Sequence, residues 1–261
     1  YPLPIKKIRE FAAQVETLYV LEQLDPFVEE HVRALGIPCI GKEAFTLQGE
    51  YSQALIRKVI LKQEPVQLST DLEIPGRPPA LCPGCPHRGL FTALHELKVF
   101  VSGDIGCYTL GALPPTSAID TVVCMGQSIS GLHGKNKVDS ENAKHSVAVI
   151  GDSTFVHSGI TGMINAVYNQ SASNIIILDN SITGMTGHQQ NPTTGKRIDG
   201  EPTTAIDLEA LAYAVGMKRV VVVDPYDIKA TKAAIKAELE VEEPSLIISR
   251  RPCVLLPEIR K

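Results

Sequence analysis

No run of apolar residues in this 261-residue chain approaches the roughly 20 needed to cross a bilayer as a helix. No basic segment followed by an apolar stretch stands at the start, so no secretion signal is visible. Positive charge is not in excess. Lys and Arg number 25 against 29 Asp and Glu, a formal net charge of −4, which argues against a nucleic-acid binder held by phosphate contacts. Cysteine is sparse, at six residues, and reads as metal ligands or core thiols in a reducing cytosol rather than as disulfides. These absences lead to the expectation of a cytoplasmic protein with neither a membrane nor a nucleic-acid partner. An initiator Met is also missing. Tyr1-Pro-Leu-Pro-Ile5 runs straight into a helical pattern, as expected of a piece of a longer chain.

What is present suffices for a buried core. The chain is 44% hydrophobic and 21% charged, and its length suits one large or two modest domains. Apolar residues near helical spacing (Ile8, Phe11, Val15, Leu18) open it, and Leu18-Tyr-Val-Leu21 reads as a short strand. An amphipathic helix over 27–36, closed by Gly36, precedes a second short strand over 36–42 and another helix. The segment 62–80 is rich in Pro and polar residues and without periodicity, so it marks the boundary between domains 1–76 and 77–261. Beyond it, strands are predicted at 98–103, 119–124, 146–150, 174–179, 219–224 and 245–250. Helices are predicted at 88–97, 127–137, 158–170, 207–216 and 227–240. Short β-branched runs alternating with helices imply right-handed crossovers and a doubly wound, mostly parallel α/β sheet, with ligands outside the carboxyl ends of its strands.

Two of those strand ends carry chemistry. The run 146–150 ends in Gly151-Asp152-Ser153, and the run 174–178 ends in Asp179-Asn180 followed by Ser181-Ile182-Thr183-Gly184. Adjacent parallel strands would present Asp152 and Asn180 at neighbouring tips. A carboxylate, an amide oxygen and a loop carbonyl form a hard oxygen set suited to Mg²⁺, whose remaining positions are filled by phosphate and water. Gly151 admits a close backbone approach, and the helix N-terminus behind it favours an anion. The pattern resembles the thiamine diphosphate signature, usually written G-D-G followed by N-N, with Ser153 replacing the last Gly and Asp179 the first Asn. The resemblance implies that Asp152, Asn180 and the carbonyl of Ile182 ligate Mg²⁺, while Gly151, Ser153, Thr183 and Gly184 contact diphosphate.

Four cysteines fall where loops meet: Cys82 and Cys85 in "CPGCPHRG", Cys107 in "SGDIGCYTLG", and Cys253 after the last strand. Four thiolates gathered from distant segments suit either a [4Fe–4S] cluster or a structural zinc, and the local ferredoxin run is absent. As a set, these motifs resemble the cofactor-binding subunits of the 2-oxoacid:ferredoxin oxidoreductases, most closely the indolepyruvate type. That resemblance spans most of 77–261 and implies an iron–sulfur cluster on Cys82, Cys85, Cys107 and Cys253. Cys39 and Cys124, in or beside apolar strands, are expected in the core.

The resemblance also places Gly126, Gln127 and Ser128 against the thiazolium side of the cofactor, and likens residues 20–45 to a transketolase C-terminal-like segment. The implied reaction is oxidative decarboxylation of an arylpyruvate to an acyl-coenzyme A, with electrons passing through the cluster to ferredoxin. The activating Glu is expected from a pyrimidine-binding domain or subunit not represented here, so that no catalytic residue is named in this chain and an oligomer is expected. His87 and Arg88 are candidates for a substrate carboxylate, Arg offering a bidentate fork. The long loop 184–204 reads as a lid, with His188 and Gln189 facing substrate. A non-redox thiamine diphosphate-dependent decarboxylase of the sulfopyruvate or phosphonopyruvate type, or a non-catalytic subunit stapled by zinc, would use some of the same residues.

Overall fold

A computed structural model of the chain describes residues 3–64 and 72–259, which fall into the units Tyr1–Pro75 and Gly76–Lys261. In the first unit three helices form: α1 (Ile5–Ala12), α2 (Phe27–Ala34) and α3 (Gln53–Leu61). The two short strands expected there shrink to one parallel bridge between Tyr19 and Ile40. Two backbone bonds hold it, Val20 N to Ile40 O at 2.9 Å and Ile40 N to Leu18 O at 2.8 Å. Among the described residues of this unit there is no third strand to pair, and neither run propagates. The expected boundary segment 62–80 lies partly outside the described residues, at 65–71.

The second unit is built on a five-stranded sheet in the order β1-β2-β3-β5-β4, with every pair parallel. Its strands are β1 (Phe100–Ser102), β2 (Ser146–Gly151), β3 (Asn174–Asp179), β4 (Arg219–Val223) and β5 (Ser245–Arg250). The central strands β2 and β3 are buried along their whole length, which is why they read as unbroken apolar runs. Alternate side chains nevertheless go to different layers. Val147, Val149, Ile176, Leu178 and Ile247 pack on one face with Phe91, Leu94, Ile235 and Leu239. Those last four come from α4 (His87–Leu97) and α9 (Ile228–Leu239). Ala148, Ile150, Ile175, Ile177 and Ile248 pack on the other with Ile129, Leu132, Met163 and Ala212. These belong to α5 (Gln127–Val138), α7 (Ile160–Tyr168) and α8 (Leu208–Ala214). Two covered faces make the doubly wound α/β fold expected from the sequence.

Four expectations need correction. Residues 119–124 form no strand, only a bridge from Thr121 to Ser102, because the Asp120 carboxylate takes the Val101 amide at 2.7 Å in place of a backbone partner. Cys124 consequently lies on the surface and not in the core. Cys39 is half-buried. The helix expected from 158 begins earlier, as α6 (Asp152–Thr154), and continues through a wide π-type turn at Phe155–Gly159 into α7. Such bulges gather at functional sites.

Helix α4 approaches the loop after β4 so closely that a Cβ at Gly89 would sit 1.9 Å from the Pro225 carbonyl oxygen. Gly89→Ala should therefore destabilise the unit by about 1–3 kcal/mol despite Ala's better helix propensity. Gly134→Ala on α5, where nothing lies within 4 Å of the added carbon, should stabilise by about 0.5–1 kcal/mol. Urea unfolding of the two variants tests the contrast, and equal shifts would contradict the packing described.

Candidate functional site

The C-terminal ends of β2 and β3 open onto one cleft. Register pairs Gly151 with Leu178 and Asp179 with Arg250, so the loops after β2 and β3 leave the sheet side by side. The cleft is lined by Gly151, Asp152, Ser153, Asn180, Ile182, Thr183 and Gly184, together with His87, Gly106, Tyr108, Met125 and Met185. The residues expected at the two strand tips are thus brought to one wall.

Asp152 begins α6 with only 3% of its surface exposed. Its Oδ1 accepts the Ser153 amide at 2.8 Å. Its Oδ2 faces Thr193 Oγ1 at 3.3 Å and Asn191 Nδ2 at 3.4 Å. Neither donor is charged, and among the described residues no ion pair includes Asp152. Burial, reinforced by the neighbouring Asp179 charge, raises its pKa to about 6. Asp179 itself is relieved by Arg250, at 2.8 Å. A buried carboxylate lacking a cation, flanked by neutral oxygen donors, fits a divalent ion. Asn180, 7% exposed, directs Oδ1 to the Ile182 amide at 3.4 Å and Nδ2 to His87 Nε2 at 3.5 Å. The donor set fits Mg²⁺, and the adjacent start of α6 fits a diphosphate.

Other expected residues are placed differently. Gly126, Gln127 and Ser128 stand at the start of α5 but are not among the residues lining the cleft, where Met125 stands instead. The reason is Asp104, which the sequence reading did not single out. Fully buried, it accepts amides from Ile105 and Gly126 at 2.8 Å and from Ser128 at 3.0 Å, holding the corner inward. Arg88 also faces elsewhere. One residue of helical rotation after His87 sends its guanidinium to the carbonyls of Leu81 and Cys82, where it braces the cysteine loop. The substrate contact expected of Arg88 is therefore not supported. His87 does reach the cleft, but burial lowers its pKa to about 4, so it is neutral and offers no cation to a carboxylate. His188 lies in the second cavity, and Gln189 bonds back to the Thr183 and Thr186 backbone within the loop. Asn191, Thr193 and Tyr108 were also missed. The first two lie in a loop without periodicity, which hides what they touch.

The second cavity adjoins the first, sharing His87, Cys107, Asn180 and Gly184 with it. Cys82, Cys85, Cys107 and Cys253 all line it, with apolar Leu81, Leu110, Val254 and Leu255 around them. Cys253 arrives because the β3–β5 ladder runs on past the sheet: Arg251 N bonds Asp179 O and Cys253 N bonds Asn180 O, both at 2.9 Å. Burial pushes the Cys85 thiol up to about 11 and raises Cys107 as well, with the other cysteines adding to both shifts. The four are free thiols. Among the described residues no three Cys, His, Asp or Glu are already drawn together as a metal-ligand group. In donor chemistry and enclosure the cavity suits an iron–sulfur cluster.

Residues 104–249 match the family of thiamine pyrophosphate enzymes, C-terminal TPP-binding domain. The chain belongs to this family. Among curated relatives, the indolepyruvate oxidoreductase subunit IorA of Archaeoglobus fulgidus is 38% identical over 98% of this chain. That of Thermococcus kodakarensis is 39% identical over 98%. In both cases the match covers 44% of the relative's own length. A 2-oxoglutarate:ferredoxin oxidoreductase from Magnetococcus marinus shares the fold, with a TM-score of 0.59 at 18% identity over 68% of this chain and 65% of that one. So does a thiamine diphosphate-dependent 4-hydroxybenzoylformate decarboxylase from Rhodococcus jostii, at 0.50 and 19%, over 76% and 38%. The matched residues 104–249 include the loops after β2 and β3 that line the cleft.

The raised Asp152 pKa carries a signed consequence. Below the unfolded value of 3.8 the group is protonated in both states and costs nothing. As pH rises toward 6 the unfolded chain loses the proton first and stability falls, by about 3 kcal/mol once both states are ionised. Asp152→Asn should remove this pH dependence and, at pH 7.5 in chelator, stabilise the protein by about 1–3 kcal/mol. A variant no more stable than the parent in guanidinium melts would show that the carboxylate is not an uncompensated charge.

Proposed function

We propose that this chain is the thiamine diphosphate- and Mg²⁺-binding part of a 2-oxoacid:ferredoxin oxidoreductase of the indolepyruvate type. It would convert arylpyruvates to acyl-coenzyme A and deliver electrons through a [4Fe–4S] cluster to ferredoxin. The observation that carries the reading is the shared wall between the diphosphate cleft and the four-thiol cavity. A non-redox decarboxylase has a use for the first and none for the second. The 2-oxoacid class is supported by the relatives' printed names, and the chain spans less than half of their length.

Thiamine diphosphate, when bound, supplies the electron sink for decarboxylation. The chain's residues hold and orient it. Asp152, Asn180 and the Ile182 carbonyl hold Mg²⁺, while Gly151, Ser153, Thr183 and Gly184 face the diphosphate. The Gly126–Gln127–Ser128 corner, fixed by Asp104, supports the wall on which Met125 stands. Met125 and Met185 give the mouth an apolar surface that excludes water. Cys82, Cys85, Cys107 and Cys253 hold the cluster, with the Cys82–Cys85 loop braced by Arg88 and by the Tyr226 hydroxyl on the Gly84 carbonyl. A pyrimidine-binding domain or subunit supplies the activating Glu, so the working site is shared. Residues 1–76 are read as the tail of a transketolase C-terminal-like domain. Among the described residues no helix is long and apolar enough to cross a membrane, and the reading expects a cytoplasmic location, where thiols stay reduced.

Protein prepared without oxygen should contain about four irons and four acid-labile sulfides per chain, and Cys253→Ser should lose most of both. Asp152→Ala should abolish Mg²⁺-dependent thiamine diphosphate binding in calorimetry without lowering the iron content. Zinc in place of iron and sulfide would remove the redox function and leave a decarboxylase or a zinc-stapled subunit. Undiminished cofactor binding by Asp152→Ala would remove the Mg²⁺ assignment.

A further inference from the structure

His87 is the one imidazole that lines both cavities, and the proposed chemistry gives it no task. It is 5% exposed, begins α4, and presents its ring edge to Tyr108 with centroids 6.2 Å apart at 89°. Its Nε2 lies 3.5 Å from Asn180 Nδ2, and its own backbone amide donates to the Cys85 sulfur.

An asparagine amide has two ends of nearly equal shape, and only the oxygen ligates a cation. The partners decide which end points where. On one side of Asn180 stands the Ile182 amide, a donor, at 3.4 Å, a weak preference at that length. On the other side stands His87 Nε2. In the neutral tautomer that keeps its proton on Nδ1, Nε2 carries the lone pair and can accept from the Asn180 NH₂. The turned-over amide would set NH₂ against the Ile182 N–H and leave Mg²⁺ no oxygen.

We propose that His87 is a positioning residue for the cation site, accepting a hydrogen bond from the Asn180 amide and so keeping its oxygen available to Mg²⁺. This rests on the Mg²⁺ assignment above. Partners of this kind are worth roughly 10–100-fold in metal affinity.

A double-mutant cycle on the full-length protein tests it, read as Mg²⁺-dependent thiamine diphosphate affinity by calorimetry. His87→Phe keeps the ring and its contact with Tyr108 but has no acceptor. It should weaken binding about 10-fold or more. His87→Gln, whose carbonyl oxygen can accept in place of Nε2, should stay within about 3-fold of the parent. In an Asn180→Asp background either end of the side chain is an oxygen, so His87→Phe should cost less than about 3-fold. Thermal melts in chelator establish that each protein is folded, and His87→Met takes the place of His87→Phe in the cycle if the latter is not. Parent-like binding by His87→Phe, or an equal penalty in both backgrounds, overturns the proposal. Parent-like binding by Asp152→Asn instead overturns the cation site itself, which separates the two failures.

Discussion

Asp152 leaves β2 at the point where the sheet ends and a helix begins, and its carboxylate is enclosed there by uncharged donors alone. Little of its surface reaches solvent, and the neighbouring Asp179 adds repulsion. Sequences do not keep such a group for stability, because a neutral isostere would fold better. Its neighbours make sense once the carboxylate is treated as half of an ionic contact. Asn191 and Thr193 reach back from the long loop to its Oδ2. Gly151 lacks a side chain because a Cβ there would meet the Tyr108 ring at 2.6 Å. Arg250 is spent on Asp179 and not on Asp152, leaving the charge in the cleft unanswered.

The second dependence is geometric. Extending the β3–β5 pairing by Arg251 and Cys253 costs only two backbone bonds, yet it fixes Cys253 against the residue proposed to ligate Mg²⁺. The opposite wall is set by α4, which carries Cys85 just before its first turn and His87 within it. Gly89 lets that helix press on the loop after β4, whose Tyr226 holds the Gly84 carbonyl. The thiol cavity and the cleft adjoin because His87 at the start of α4, Cys107 after β1, and Asn180 and Gly184 after β3 line both.

The sheet itself was legible in the sequence. Strands β2, β3 and β5 fall within a residue of their predicted limits, because a strand buried on both faces must be apolar throughout and little else in the chain is. The segment 119–124 misled because Ile119, Val122 and Val123 look like a strand, whereas Asp120 decides the local structure through one hydrogen bond. The site divides in the same way. That Asp152 and Asn180 would come to one wall was readable because a strand end followed by a special residue is a local pattern. Asp104, Asn191 and Thr193 were not, since each acts on a partner at least 22 residues away through a loop with no period. Arg88 was misjudged for a related reason. Adjacency to a cysteine says nothing about helical phase, and phase sends it to the loop instead of the cleft.

Neutral groups, rather than charges, thus shape most of the cleft. Apart from Asp152 its wall offers amides, hydroxyls, two methionines and a buried imidazole, and no Lys or Arg. Under the proposed reading, a diphosphate in such a place would be met by Mg²⁺ and by backbone amides at the start of α6 rather than by side-chain cations. Both act over short distances and in fixed directions. Affinity then depends on how well a few polar groups are aimed, more than on how many charges are gathered. Asp104 follows the same rule beneath the α5 corner, where it reaches no part of the cleft yet orders that wall through the amides of Ile105, Gly126 and Ser128.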